Sequence, residues 1–208
     1  MRIRHKELEA VRADYRRWAA RSIAPGSGGP RRSYASVTRD AIYKYHKTGD
    51  AAIARGWLVD ALAPFANRAR RDGALFQFDR YVEVSAQSHD VVVDFRINVN
   101  YDLGSGITLG GQVSRLDLVL ASGHYRVVLL GPRPDDWPGD LRFPLLQRAV
   151  SEMYSRDQRL TEVAIQEIDG SGLVAKTFSR SVIESAVAAA RSLARDVSRE
   201  LARLVAER

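Results

Sequence analysis

The sequence predicts an α+β protein, an α/β sandwich whose central mixed sheet is an antiparallel meander plus one further strand, flanked by helices. Three observations predict it. Apolar residues recur every three or four positions up to about residue 70, then at every second position to about residue 131. Helix, strand and helix patterns alternate from there to the end. At 208 residues the chain is long enough to bury one core, and it carries no internal repeat.

Each element follows from its own residues. Leu8, Val11, Tyr15 and Trp18 predict an amphipathic helix over about 5–20. Residues 24–33, "APGSGGPRRS", break it, because glycine and proline do not continue a helix. Val37, Ile42 and Tyr45 mark a second helix. Gly49-Asp50 separates it from a third, with Ile53, Trp57, Leu58, Leu62 and Phe65, kinked at Pro64 and ended by 70–73, "RRDG". Phe76, Phe78, Tyr81 or Val82, and Val84 then read as the first of four strands. The others cover about 90–103, 107–120 and 125–131, joined by short turns at 87–90, 104–106 and 122–124. After the loop "PRPDDWPGD", Leu146, Ala149, Val150 and Met153 face inward from a helix that Asp140 caps. A strand over 160–169 and a long helix over 179–206 close the chain. The expected division is a basic N-terminal helix and connector, 1–33, and a single domain, 34–208.

Composition removes several function classes. Without cysteine there is no disulfide framework, no cysteine zinc site and no thiol nucleophile. No run of 18 apolar residues occurs and the N-terminus has no apolar signal core, so the expectation is a cytoplasmic protein with no membrane partner. The glycine-rich stretch 104–111 lies between strands instead of opening a helix, which removes the phosphate-cradle geometry. No HExxH, GxSxG or P-loop pattern occurs, and His5, His46, His89 and His124 lack metal-ligand spacing.

The net charge of +7 is concentrated at one end. Residues 1–32 hold nine arginines and lysines, among them Arg12, Arg16, Arg17, Arg31 and Arg32, against Glu7, Glu9 and Asp14. A basic arm on a nearly neutral body points to an anionic partner, nucleic acid before membrane, with a solvated basic helix as the plain alternative.

The stretch from Gly110 to Pro134, "GGQVSRLDLVLASGHYRVVLLGPRP", places Asp117 in the first strand of a hairpin, preceded by Arg115. His46 comes earlier on a helix, in "RDAIYKYH". Gln147 and Tyr154 follow on another, in "LLQRAVSEMY". In this order the residues resemble the RecB-type branch of the PD-(D/E)XK nuclease-like superfamily, over about 140 residues. The resemblance implies a restriction-endonuclease-like core in which carboxylates hold Mg²⁺ on phosphate oxygens, helped by a lysine on the second strand. It makes Asp117 and His46 the catalytic and metal-binding remnants. It makes Arg115, Gln147 and Tyr154, with the basic arm, nucleic-acid contacts. Aligned with that pattern, the second acid falls on Leu129 and the lysine on Gly131, and neither side chain can do the chemistry.

Three functions therefore compete. The first is a degenerate, inactive nuclease fold that binds nucleic acid, DNA first, or serves as a subunit of a DNA repair or phage-defence complex, with no cofactor. The second is a Mg²⁺-dependent nuclease whose site is restored by migrated acids such as Asp135, Asp136, Glu152, Glu83 or Asp94. The third is an assembly module that meets a protein partner or a second copy through the C-terminal helix. On the plain reading, Asp117 pairs with Arg115 or Arg126 and is structural.

Overall fold

Capping residues set the helix boundaries in the first half of the chain. The computed structural model describes residues 1–23, 32–154 and 160–207, with side chains described from residue 162 in the strand that begins at 160. Ser33 and Ser36 form a capping box that opens α3 (Tyr34–Thr48), which follows α1 (Leu8–Ala13) and α2 (Tyr15–Ser22). Gly49 ends it at φ +70°, a conformation that costs glycine little. Asp50 accepts the backbone N–H groups of Ala52 and Ile53 to start α4 (Ala51–Leu62). Asn67 does the same for Arg70 at the start of α5 (Arg68–Gln87).

α5 corrects the strand expected over 76–84. The apolar positions that count are Ala74, Phe78 and Tyr81, spaced four and three apart on one helix face, and all three are buried. Phe76, which gave the alternation its start, is 68% exposed. The helix runs through "RRDG" without ending there, and Pro64 lies in the break between α4 and α5, not in a kink.

The sheet is mixed and six-stranded, as the fold class requires. β2 (Val91–Gly104), β3 (Ile107–Val119) and β4 (His124–Leu130) form the antiparallel meander, so it has three strands, not four. β5 (Leu160–Gln166) lies parallel to β4 after the crossover through α6 (Arg142–Met153). β6 (Val174–Lys176), absent from the sequence reading, pairs with β5. α7 (Arg180–Ala206) closes the fold.

The N-terminal segment corrects a second expectation. Instead of one helix over 5–20, Arg2–Arg4 form β1, which pairs in parallel with Thr108–Gly110 of β3. A short 3₁₀ turn, His5–Glu7, leads into α1 (Leu8–Ala13) and α2 (Tyr15–Ser22). Asp14 separates the two helices and caps the second by accepting the Arg17 N–H at 2.9 Å. β2 occupies the whole of one edge of β3, so β1 and β4 share the other edge.

Two large cores and a smaller cluster around Phe143 and Phe178 flank the sheet. One packs β1–β4 against α1, α6 and α7, through residues such as Ile3, Val11, Val99, Leu116, Leu146 and Ala190. The other packs α3, α4 and α5 together over Leu130 and Ile168. Met153, expected inward, is half exposed at the last turn of α6. Among the described residues no helix is long and apolar enough to cross a membrane.

Candidate functional site

Asp117 lies almost fully buried, 1% exposed, and Arg115 is 8% exposed beside it. A lone charge in such a place costs several kcal/mol, so the pair must satisfy itself. Arg115 Nε donates to Asp117 Oδ1 at 2.8 Å and Oδ2 at 3.0 Å. Arg115 Nη1 donates to the Tyr81 hydroxyl oxygen, and that hydroxyl in turn lies 2.7 Å from His46 Nε2. The chain Asp117–Arg115–Tyr81–His46 thus joins β3 to α5 and α3.

The electrostatics fix the direction of each hydrogen bond. Burial, helped by the Arg115 charge, pulls His46 down to about 4. The imidazole is therefore neutral at pH 7, and since the Tyr81 oxygen already accepts from Arg115, the tautomer protonated at Nδ1 lets Nε2 accept the Tyr81 proton. Burial pushes the Tyr81 phenol up to about 12, so it keeps the proton it donates. Burial also pushes the Asp117 carboxyl above its usual range, against the opposing pull of Arg115 and Arg126. For Arg115 burial works against the charge, but the Tyr81 and Asp117 oxygens outweigh it and its pKa rises.

A cavity of about 400 Å³ opens beside this chain, lined by Tyr81, Asp90, Arg115, Asp117, Gln166 and Ser171, among others. Asp90 is the second carboxylate near Asp117, and sequence reading passed over it as a turn residue. Its side chain accepts from Arg126 Nη1 at 2.8 Å, while Arg126 Nε reaches Glu162 at 2.8 Å. Each acid at this end of the sheet is held by an arginine. Among the described residues no group of three His, Asp or Glu side chains is placed to hold a metal ion. Mg²⁺ would have to displace two guanidinium groups to reach two carboxylates, so the donor set fits the ion poorly.

The other sequence candidates lie elsewhere. Asp94 accepts the Tyr154 hydroxyl at 2.7 Å, and burial, followed by this bond, raises the Tyr154 pKa. Glu83 pairs with Arg80, and Glu152 pairs with Arg148. Asp135 and Asp136 sit in the loop after β4 and do not line the Asp117 cavity. Gln147 is buried and bonds both polar atoms of the Phe178 backbone, at 3.3 and 3.0 Å, tying α6 to the segment ahead of α7. Arg12 pairs with Glu9 on the surface, Arg16 and Arg17 are exposed on α2, and Arg32 is exposed ahead of α3. Arg31 lies outside the described residues.

Leu129 and Gly131 line a different space from Asp117. Past Val128 the end of β4 separates from β3: Ser114 Oγ accepts the Leu130 N–H at 2.8 Å, and Gln166 O accepts the Gly131 N–H. Between this end and β1 lies a cleft of about 880 Å³. Arg2, Arg4, Lys6, Arg39 and Arg142 line it with His5, and among the described residues no aspartate or glutamate does. The paired glycines of β3 make the cleft possible. A Cβ on Gly110 would overlap the Arg2 side chain, and one on Gly111 would come within 2.4 Å of the His5 ring.

Comparison with solved structures finds the same fold. A crystal structure described as "Putative exonuclease" from Eubacterium rectale matches 84% of this chain and 70% of its own, with a TM-score of 0.51 and 9% identity. That likeness is one of fold alone, an α+β core with a mixed sheet flanked by helices. No protein-family model and no curated protein matches the chain.

Proposed function

We propose that this chain is a nuclease-fold protein that holds nucleic acid, DNA first, and does not cut it, as a subunit of a DNA repair or phage-defence complex. One observation carries the reading: both oxygens of Asp117 are taken by Arg115 in a closed ion pair. A metal-dependent nuclease needs those oxygens free for the cation. The exonuclease description of the structural neighbour and the acid-free cleft support nucleic acid as the partner class. In this reading the protein uses no bound Mg²⁺.

A direct test measures binding of labelled DNA across a salt series, with cleavage followed in Mg²⁺ and Mn²⁺. The expected result is binding that weakens with salt and no cleavage in either metal. Metal-dependent cleavage that disappears in Asp117→Ala overturns the non-catalytic half. Failure to bind at low salt overturns the other half.

One feature favours the rearranged-nuclease alternative, the presence of Asp90 in the same cavity as Asp117. Under that alternative Asp90→Ala and Asp117→Ala abolish cleavage equally. For the third reading, a protein partner or second copy would meet the exposed Val182 and Val205 of α7, and the mass in solution tests it.

A further inference from the structure

The cleft between β1 and the end of β4 gathers five cations, and three of them have no ion pair among the described residues. Arg4 reaches Glu7 at 3.8 Å and Arg142 reaches Asp140 at 2.9 Å, both outside the lining. Arg2, Lys6 and Arg39 have no ion pair among the described residues. Cations gathered around a concave wall repel one another, and the wall focuses their field into the opening. A fold tolerates that repulsion where an anion relieves it.

The cleft is also built, not a chance meeting of flexible side chains. Arg2 is anchored by the ladder to β3 and by its bond to Val99 O at 3.1 Å. His5 is only 7% exposed, with Nε2 3.1 Å from Gln112 O and Nδ1 without a partner. Its pKa is lowered, first by burial and then by the nearby Arg142 and Lys6 charges, against the pull of the Gln112 carbonyl. Tyr43 stands on the wall with the Arg96 guanidinium 4.3 Å from its ring centre. Arginine forks match tetrahedral oxyanions, and an aromatic ring beside them suits a base.

We propose that this cleft, and not the surface around Asp117, is the phosphate-binding site of the protein, taking the phosphate group of a nucleotide unit. Arg2, Lys6 and Arg39 hold the phosphate oxygens, and Tyr43 flanks the attached base. The unit belongs either to a nucleic-acid strand or to a free nucleotide. As the strand's site the proposal rests on the nucleic-acid reading above.

The test uses the full chain, a labelled single-stranded oligonucleotide, adenosine monophosphate and inorganic phosphate. Lys6→Ala/Arg39→Ala removes two unpaired cations, and Arg16→Ala/Arg17→Ala on α2 is the comparison. Thermal melting checks that both double variants fold. The expected result is a loss of at least tenfold in oligonucleotide affinity for the cleft variant, with a salt slope shallower by about 0.7 per lost contact, and a smaller loss for the α2 variant. Strand binding that ignores the cleft variant overturns the site and leaves the nucleic-acid reading standing. If the oligonucleotide fails to bind while monophosphate or phosphate binds and is lost in the cleft variant, the nucleic-acid reading falls and the site stands for a free ligand. Binding of none of the three overturns both.

Discussion

Asp117 gives both carboxylate oxygens to a single nitrogen, Nε of Arg115, two residues back on the same strand. The pair is buried, so its two halves differ sharply from the pair as a whole. Removing one partner leaves a buried charge, whereas removing both leaves an apolar site. Asp117→Ala should destabilise the fold by about 3–5 kcal/mol, and Arg115→Met/Asp117→Leu should recover much of that loss. Urea unfolding of the two single variants and the double variant measures the coupling. Additive losses would mean that the contact is not the one described.

His46 gives the fold a pH signature. Its folded pKa is about 4, below the ordinary 6.5, so the unfolded chain takes up a proton first as pH falls. The stability tied to neutral His46 is complete above about pH 6.5 and drains away between there and about pH 4. The loss is roughly 3 kcal/mol, at about 1.4 kcal/mol per pH unit. His46→Gln keeps an acceptor for Tyr81 and should flatten this part of the stability profile. A wild-type slope that persists in His46→Gln would refute the assignment.

Gly111 combines φ +142° with the His5 ring against its Cα. Gly111→Ala should cost about 1–3 kcal/mol, from backbone strain and from pushing His5 aside. Hydrogen exchange should then show faster opening at Ile3 and Arg4 of β1, while β4 and β5 keep their protection.

Gln147 separates a structural role from a binding role. Gln147→Leu keeps its volume but leaves two buried backbone groups of Phe178 unpaired, at about 1–3 kcal/mol each. Thermal melting should record that loss. Nucleic-acid affinity, measured below the melting transition, should stay within twofold of wild type.

Much of this fold was legible because it is local. The Asp50 cap, the Gly49 stop, the 104–106 turn and the β3–β4 hairpin are each written in a few adjacent residues. What was missed depends on distant partners. Phe76 and Phe78 alternate like a strand over four residues, and only the burial of Ala74 and Tyr81 on the same face shows the helix. β1 has three residues and earns its ladder from Thr108–Gly110, which no local pattern announces. For the site, the "RLD" triplet told that Arg115 and Asp117 sit on one strand, and the plain pairing of the two is the geometry found. Asp90 and Tyr81 were unreadable as their neighbours because the first looked like a turn and the second like a strand residue. The Gly110-Gly111 pair was the one signal that another segment passes close to β3.

The same cleft has a consequence for how the chain folds. Its wall is assembled from residues that lie far apart in sequence: His5 meets Gln112 across 107 positions, and Arg142 arrives later still. Closing so long a loop costs more chain entropy than closing the short β2–β3 turn beside it. An anion held there ties the two ends of that loop together and favours the finished state over every partly folded one by mass action. The ligand site would then double as a latch on the N-terminal strand, and its occupant would raise the melting temperature roughly with the logarithm of its concentration.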